Sequence, residues 1–268
     1  MIRLNGEILP YTLFPDNTSQ VWKLGCLDGT ECHRVEWEFE SEAEIIRLFQ
    51  LKKLLDTVPV DAKLYIHYLP YGRQDKPIKN YQTFGLHVFS EILNLMNFNT
   101  VVILDPHSHV ALETINNSSP TYPKEQFKKI VQKTKPNAFC YPDSSAASKY
   151  GTIYCIEDYP EVYFNKTREP STGAITSMEI VNGEDIDLDS RVLMIDDICD
   201  GGMTFILAAK KLRELGTNYI ALFTTHGIYS KGVNFLFDNG IDDVFCRKGQ
   251  VLPMHHNTNS IIQYESLN

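Results

Sequence analysis

The chain has 268 residues, 43% of them hydrophobic, with 25 Lys+Arg against 34 Asp+Glu for a net charge of −9. That length supports one or two domains with a real core, and 22% charged and 11% aromatic residues exclude wholesale disorder. The acidic balance argues against a duplex nucleic-acid binder, and the longest apolar runs (101–104 and 192–195) are too short to span a bilayer.

Met1-Ile2-Arg3-Leu4-Asn5 lacks the charged-then-apolar layout of a signal peptide. Apolar residues recur at helical spacing over 41–57, where Ser41 and Glu44 predict a capping box. Residues 63–68 read as a strand, 70–77 as a Pro/Gly-bearing loop, 81–96 as a helix and 100–104 as the next strand. Asn116-Asn117-Ser118-Ser119-Pro120 interrupts the series and predicts a domain boundary, with domains over 1–120 and 121–250 and a tail over 251–268. After it come helix 124–133, strand 138–141, helix 144–150 and strand 153–156. A loop over 159–172 and strand 174–180 follow, then strand 192–195, a helix to Leu215, strand 219–224, helix 231–237 and strand 244–246. This alternation implies parallel strands with crossover helices, so ligands are expected beyond the carboxyl ends of the strands. Cys26, Cys32, Cys140, Cys155, Cys199 and Cys246 form no CxxC pair, which fits reduced, mostly buried thiols in a cytoplasmic protein.

The strongest chemical signal is the run 192–204. Four apolar residues lead to Asp196 and Asp197, then Asp200, Gly201, Gly202, Met203 and Thr204 open a helix. Backbone N–H groups at a helix start, made approachable by glycine, cradle a phosphate. The paired acids can accept hydrogen bonds from vicinal sugar hydroxyls or hold Mg²⁺ through water. A plain strand-turn-helix with solvent-facing acids is the simpler alternative.

This run resembles the phosphoribosyl-diphosphate (PRPP) motif of type I phosphoribosyltransferases and of ribose-phosphate diphosphokinases. Other segments select the second group, in its motif order. Tyr68-Leu69-Pro70-Tyr71-Gly72-Arg73-Gln74-Asp75-Lys76 is similar to its PYxxYARQDK loop, and Leu104-Asp105-Pro106-His107-Ser108 to its DLHA segment. Tyr141-Pro142-Asp143-Ser144-Ser145 resembles its SPD turn, Asn165-Lys166-Thr167-Arg168 its KxR loop, and Thr225-His226-Gly227-Ile228-Tyr229-Ser230 its THGxFS. Phe14-Pro15-Asp16-Asn17-Thr18 is similar to FSDGE, through which family members complete a neighbouring subunit's adenine site.

The resemblance implies an α/β fold of two doubly wound parallel-sheet domains of the type I phosphoribosyltransferase kind, with a cleft between them. It implies an enzyme that moves the β,γ-diphosphoryl group of ATP to ribose 5-phosphate, with Mg²⁺ as cofactor, in a homo-oligomer. Arg73, Gln74, Asp75, His107 and a neighbour's Phe14 and Asp16 would hold ATP. Asp196, Asp197 and residues 200–204 would hold ribose 5-phosphate, His107 and Asp143 the metal, and Lys166 and Arg168 the transition state. Simpler readings stand beside these: a solvated turn at 73–76, a zinc-binding pair in His107 and His109, a helix N-cap in Asp143, and a charged loop at 166–168. A PRPP-consuming phosphoribosyltransferase and a non-catalytic regulatory homologue are the alternative functions.

The chain also departs from the family. It starts late, so the usual first strand and helix are expected to be missing or replaced. Asp200-Gly201-Gly202-Met203-Thr204 stands where DTGGT is usual, and Pro106 and Ser108 flank His107.

Overall fold

Period-two alternation builds the middle of the first sheet. In β5 (Cys32–Glu38) His33, Val35 and Trp37 are buried, in β6 (Asp61–Tyr68) Ala62, Leu64 and Ile66, and in β7 (Thr100–Leu104) Val101 and Ile103. These coordinates, a computed structural model, describe residues 1–22, 32–77, 83–168, 175–252 and 264–265. The chain divides into two units, Met1–Tyr122 and Pro123–Asn268.

In the first unit β5, β6 and β7 run parallel and are joined by β8 (Ser118–Thr121), while β1 (Ile2–Leu4) and β2 (Glu7–Ile8) extend the sheet antiparallel beyond β5. A separate hairpin pairs β3 (Tyr11–Leu13) with β4 (Ser19–Val21). Helix α1 (Ala43–Leu55) buries Ile45, Leu48, Leu51 and Leu55 at helical spacing, and α2 (Gly85–Leu95) buries Leu86, Phe89 and Leu93. The short α3 (Val110–Thr114) precedes β8.

The second unit has the order β11-β10-β9-β12-β13-β14-β15-β16, from β9 (Ala138–Tyr141), β10 (Glu161–Arg168), β11 (Ile175–Val181), β12 (Arg191–Cys199), β13 (Tyr219–Gly227), β14 (Asp243–Cys246), β15 (Gly249–Val251) and β16 (Tyr264–Glu265). The strands from β10 to β14 are parallel, and β11, β15 and β16 are antiparallel additions. Both faces are covered. Val192 and Met194 pack with Phe205, Ala209 and Leu212 of α6 (Met203–Glu214), and Leu193 and Ile195 with α4 (Lys124–Thr134) and α5 (Ser144–Tyr154). Burial on both faces explains why β12 reads as a continuous apolar run instead of alternating. Among the described residues no helix is long and apolar enough to cross a membrane. Cys32, Cys140, Cys155, Cys199 and Cys246 are free.

Several local expectations need correction. The capping box at Ser41 does not form: the Glu44 carboxylate accepts from the Glu40 N–H at 2.8 Å and from the indole N–H of fully buried Trp37 at 3.0 Å. A buried indole donor outcompetes a solvated helix end for that acceptor. The polar stretch 116–120 is no bare linker, because Ser118–Thr121 pairs with β7 as the last strand of its sheet, where Pro120 is tolerated. Lys166 and Arg168 lie on strand β10, not in a loop, because Val162 and Phe164 seat that strand in the core and β11 pairs with it. The helix expected over 231–237 shrinks to α7 (Asn234–Phe237).

Phe223 on β13 is fully buried, its ring 6.0 Å from Phe127 and 6.5 Å from Tyr154. Phe223→Ala should cost roughly 3–5 kcal/mol of stability, read as a lower urea midpoint by circular dichroism. A midpoint unchanged from wild type would refute this placement of the core.

Candidate active site

In the second sheet β9 continues through α5 to β10 on one side, while β12 pairs on its other side. The loops leaving the carboxyl ends of β9 and β12 therefore diverge, the position where open α/β sheets bind ligands. Asp143 follows β9, and Asp196 and Asp197 stand near the end of β12.

Asp143 is the N-cap of α5, its Oδ1 accepting from the Ala146 N–H at 3.0 Å. Its Oδ2 lies 3.0 Å from the ammonium of Lys166, whose side chain is 15% exposed. Period two places Lys166 in the row of Val162 and Phe164, so the strand itself delivers the cation. Burial pushes the Asp143 carboxyl up, but the Ala146 N–H and Lys166 overrule it and leave it below its ordinary value. Asp196 goes the other way. Burial first, then the neighbouring Asp197 carboxyl, and in smaller part Asp143, hold its pKa well above the usual carboxylate range. The Asp197 N–H donates to Asp196 Oδ1 at 2.9 Å and opposes this only in part.

Beyond β12 the chain turns through Asp200 and Gly201 into α6. Gly202, its N-cap, has φ +75°, and a Cβ there would sit 2.6 Å from Leu236 Cδ2, so both conformation and space call for glycine. The Ile206 N–H donates to the Gly202 carbonyl at 3.1 Å, which leaves the N–H groups of residues 203–205 directed out of the helix start. Met203 is helical and 44% exposed, so it opens the helix without filling the turn. The turn is pinned by N–H groups of Ile228 (2.8 Å) and Tyr229 (3.1 Å) to the Cys199 carbonyl, and of Ser230 to Asp200 (3.2 Å). Burial, then Asp196 and Asp200, push the Cys199 thiol up to about 12, so it stays a neutral packing group here.

The first unit carries the other expected residues on the loops after neighbouring strands β6 and β7. Tyr71, at φ +60°, stacks on Phe89 (5.6 Å between ring centroids) and donates its hydroxyl to Glu42. Gln74 is tied to the start of α2: the Leu86 N–H donates to its carbonyl at 3.1 Å, and its amide lies over Gly85. Arg73 is exposed and Asp75 half-buried. After β7, Asp105 is 1% exposed at φ +43°, the kind of backbone position that clusters at functional loops. His107 is exposed behind it, and the Ser108 hydroxyl is buried with no hydrogen-bond partner among the described residues. His109 is the N-cap residue of α3 and faces Glu113 at 3.6 Å. At the tip after β3, Phe14 is 38% exposed, and Asp16 accepts from the Thr18 hydroxyl (2.7 Å) and N–H (3.0 Å).

Sequence reasoning missed the Asp143–Lys166 pair, the strained Asp105 and the Tyr71–Glu42 contact. Only Asp105 left a local signal, the turn-forming Asp-Pro dipeptide.

No family model matches the chain. The ribose-phosphate pyrophosphokinase of Saccharolobus solfataricus is 28% identical over 219 residues, 80% of this chain and 74% of the relative. That of Thermococcus kodakarensis is 25% identical over 240 residues, 86% of this chain and 81% of the relative. The fold is similar to that of the phosphoribosylpyrophosphate synthetase from Mycobacterium smegmatis, with a TM-score of 0.73 at 18% identity, covering 88% of this chain and 78% of that one. Over most of its length the chain is therefore similar to ribose-phosphate pyrophosphokinases, in sequence and in fold.

Among the described residues no group of three or more His, Cys, Asp and Glu side chains converges to hold a metal alone. The donor set nonetheless suits magnesium, the ion that the resemblance implies. Asp143, Asp196 and Asp197 offer hard carboxylate oxygens in mutual repulsion, and Mg²⁺ is commonly held by one or two carboxylates with substrate phosphates and water completing its shell.

The raised pKa of Asp196 has a thermodynamic consequence. Such a carboxyl supports the fold fully below its unfolded pKa, about 3.9, and loses that contribution as pH rises through its folded value. Asp196→Asn removes the ionisation. The ligand-free variant should therefore melt with wild type near about pH 4 and increasingly above it as the pH rises. Parallel melting curves across that range would contradict the electrostatics described here.

Proposed function

We propose that the chain is a ribose-phosphate diphosphokinase that moves the β,γ-diphosphoryl group of Mg-ATP to the 1-hydroxyl of ribose 5-phosphate, releasing AMP. The hydroxyl oxygen forms a bond to the β-phosphorus, the bond from that phosphorus to the α-phosphate bridging oxygen breaks, and the hydroxyl proton leaves to solvent. The observation that carries this reading is the gathering of Asp143, Lys166, Asp196 and Asp197 at the switch point of the second sheet, beside the phosphate-sized turn of residues 200–204. The match to the Thermococcus relative is longer than either unit, so it takes in both and disfavours a lone phosphoribosyltransferase domain.

In this reading Asp196 and Asp197 orient the ribose hydroxyls, and the N–H groups at the start of α6 receive the 5-phosphate. Arg73, Gln74, Asp75 and His107 of the first unit bind ATP. His107 in the first unit and Asp143 in the second are the candidate magnesium ligands, and the ion bound with ATP would neutralise phosphate charge. Lys166 and Arg168 stabilise the charge that grows on the transferring oxygens. Phe14 and Asp16, exposed on their hairpin, complete the adenine site of a second copy, which makes the working enzyme a homo-oligomer. The cysteine pattern supports a cytoplasmic setting.

Incubation with ATP, Mg²⁺ and ribose 5-phosphate should yield AMP and PRPP in equal amounts; AMP without PRPP would overturn the reading. Lys166→Ala should lower kcat roughly 10²–10³-fold with little change in either KM, the signature of a contact made in the transition state. A near-normal kcat would remove Lys166 from the chemistry.

A further inference from the structure

The Asp143–Lys166 pair raises a question of charge. Asp143 Oδ1 accepts from the Ala146 N–H, and Oδ2 already holds the Lys166 ammonium at 3.0 Å. The lysine side chain is 15% exposed and the carboxylate 40%, so the aspartate is open to solvent on the side its partner leaves uncovered. A divalent ion in contact with the same oxygen would repel an ammonium about 4 Å away by several kcal/mol at an effective dielectric constant near 20. Both cations cannot be held there at full strength.

The geometry points to an exchange of cations at Asp143: in the ligand-free protein Lys166 occupies the carboxylate, and an arriving divalent cation displaces it. This rests on the reading of Asp143 as a metal-associated residue. Asp143 thereby acts as a positioning residue that stations the lysine at the sheet edge until the metal arrives with the nucleotide phosphates. The displaced ammonium is released beside the most concentrated negative charge brought into the site, the phosphate groups that accompany the metal. One carboxylate thus links metal binding to the availability of the catalytic cation.

The test uses Mn²⁺ alone as probe on the full chain without nucleotide, with free Mn²⁺ read by electron paramagnetic resonance. Lys166→Met should tighten Mn²⁺ roughly three- to tenfold, the range of a coupled charge pair. Asp143→Asn, which keeps an N-cap acceptor, should weaken it, and Lys166→Met added to Asp143→Asn should bring no further gain. Unchanged affinity in Lys166→Met would overturn the exchange while leaving Asp143 a metal-associated residue. An equal gain in both backgrounds would overturn it too, as a general field effect. Wild-type affinity in Asp143→Asn would remove the metal reading and the exchange together. Should a variant fail to fold, acylation of Lys166 in the wild-type chain, followed by mass spectrometry, should accelerate on adding Mn²⁺; an unaltered rate would refute displacement.

Discussion

Negative charge crowded at the carboxyl edge of one sheet is the constraint around which the second unit is arranged. Residues 192–195 are buried on both faces, so β12 cannot shift to separate the carboxylates that follow it. Two carboxylates about 4 Å apart repel by about 4 kcal/mol at an effective dielectric constant of 20. The protein relieves this locally. Asp196 is biased toward its protonated form, and Asp143 is held ionised by a helix N-terminus and an ammonium. None of this is the best solution for stability alone. An apolar strand end would cost less, so the arrangement is one that a ligand bringing hydroxyl donors or positive charge can improve.

The turn of residues 200–204 beside it follows a different logic, one of backbone conformation and not of side-chain charge. Gly202 must be glycine because of its left-handed backbone and the nearness of Leu236. The segment after β13 holds the turn through carbonyls of Cys199 and Asp200, which leaves the amide groups of α6 for an anion. Tyr229 is itself left-handed at φ +50° and 5% exposed, packed so closely against Gly227 that a side chain at 227 would strike its ring. The THGxFS-like segment is therefore a support for the turn, and its glycine serves packing.

Much of the fold was legible in the sequence because it rests on strong periodicity. The strands through residues 64, 101, 139, 193 and 222 and the helices between them announce themselves by buried apolar residues at regular spacing. Three of the failures share one cause, a polar sequence whose structure is imposed by a neighbour. β8 is polar and contains Pro120, yet β7 supplies the pairing. The end of β10 looks like a charged loop, yet β11 continues the pairing past the parallel sheet. Glu44 looks like a cap until Trp37, seven residues earlier, claims its carboxylate. The run 192–204 was legible as a candidate site because its acids and glycines are contiguous. The Asp143–Lys166 pair was not, since those residues meet only when β9 and β10 lie side by side.

That meeting changes what kind of device the lysine is in the proposed reaction. A cation on a mobile loop loses conformational freedom on each visit to the substrate, about 1–2 kcal/mol for every backbone residue that becomes fixed. Lys166 has already met that cost during folding, because its strand is paired on one side to β11 and, nearer its start, to β9. What remains is rotation of one side chain, and the Asp143 carboxylate narrows even that. A preorganised ammonium left uncompensated in a partly buried position would be expensive, and an acid pair without a nearby cation more so. Placing the two opposite each other across β9 and β10 answers both problems with one contact. The same contact keeps the cation and the carboxylates within reach of any phosphate that enters the switch point.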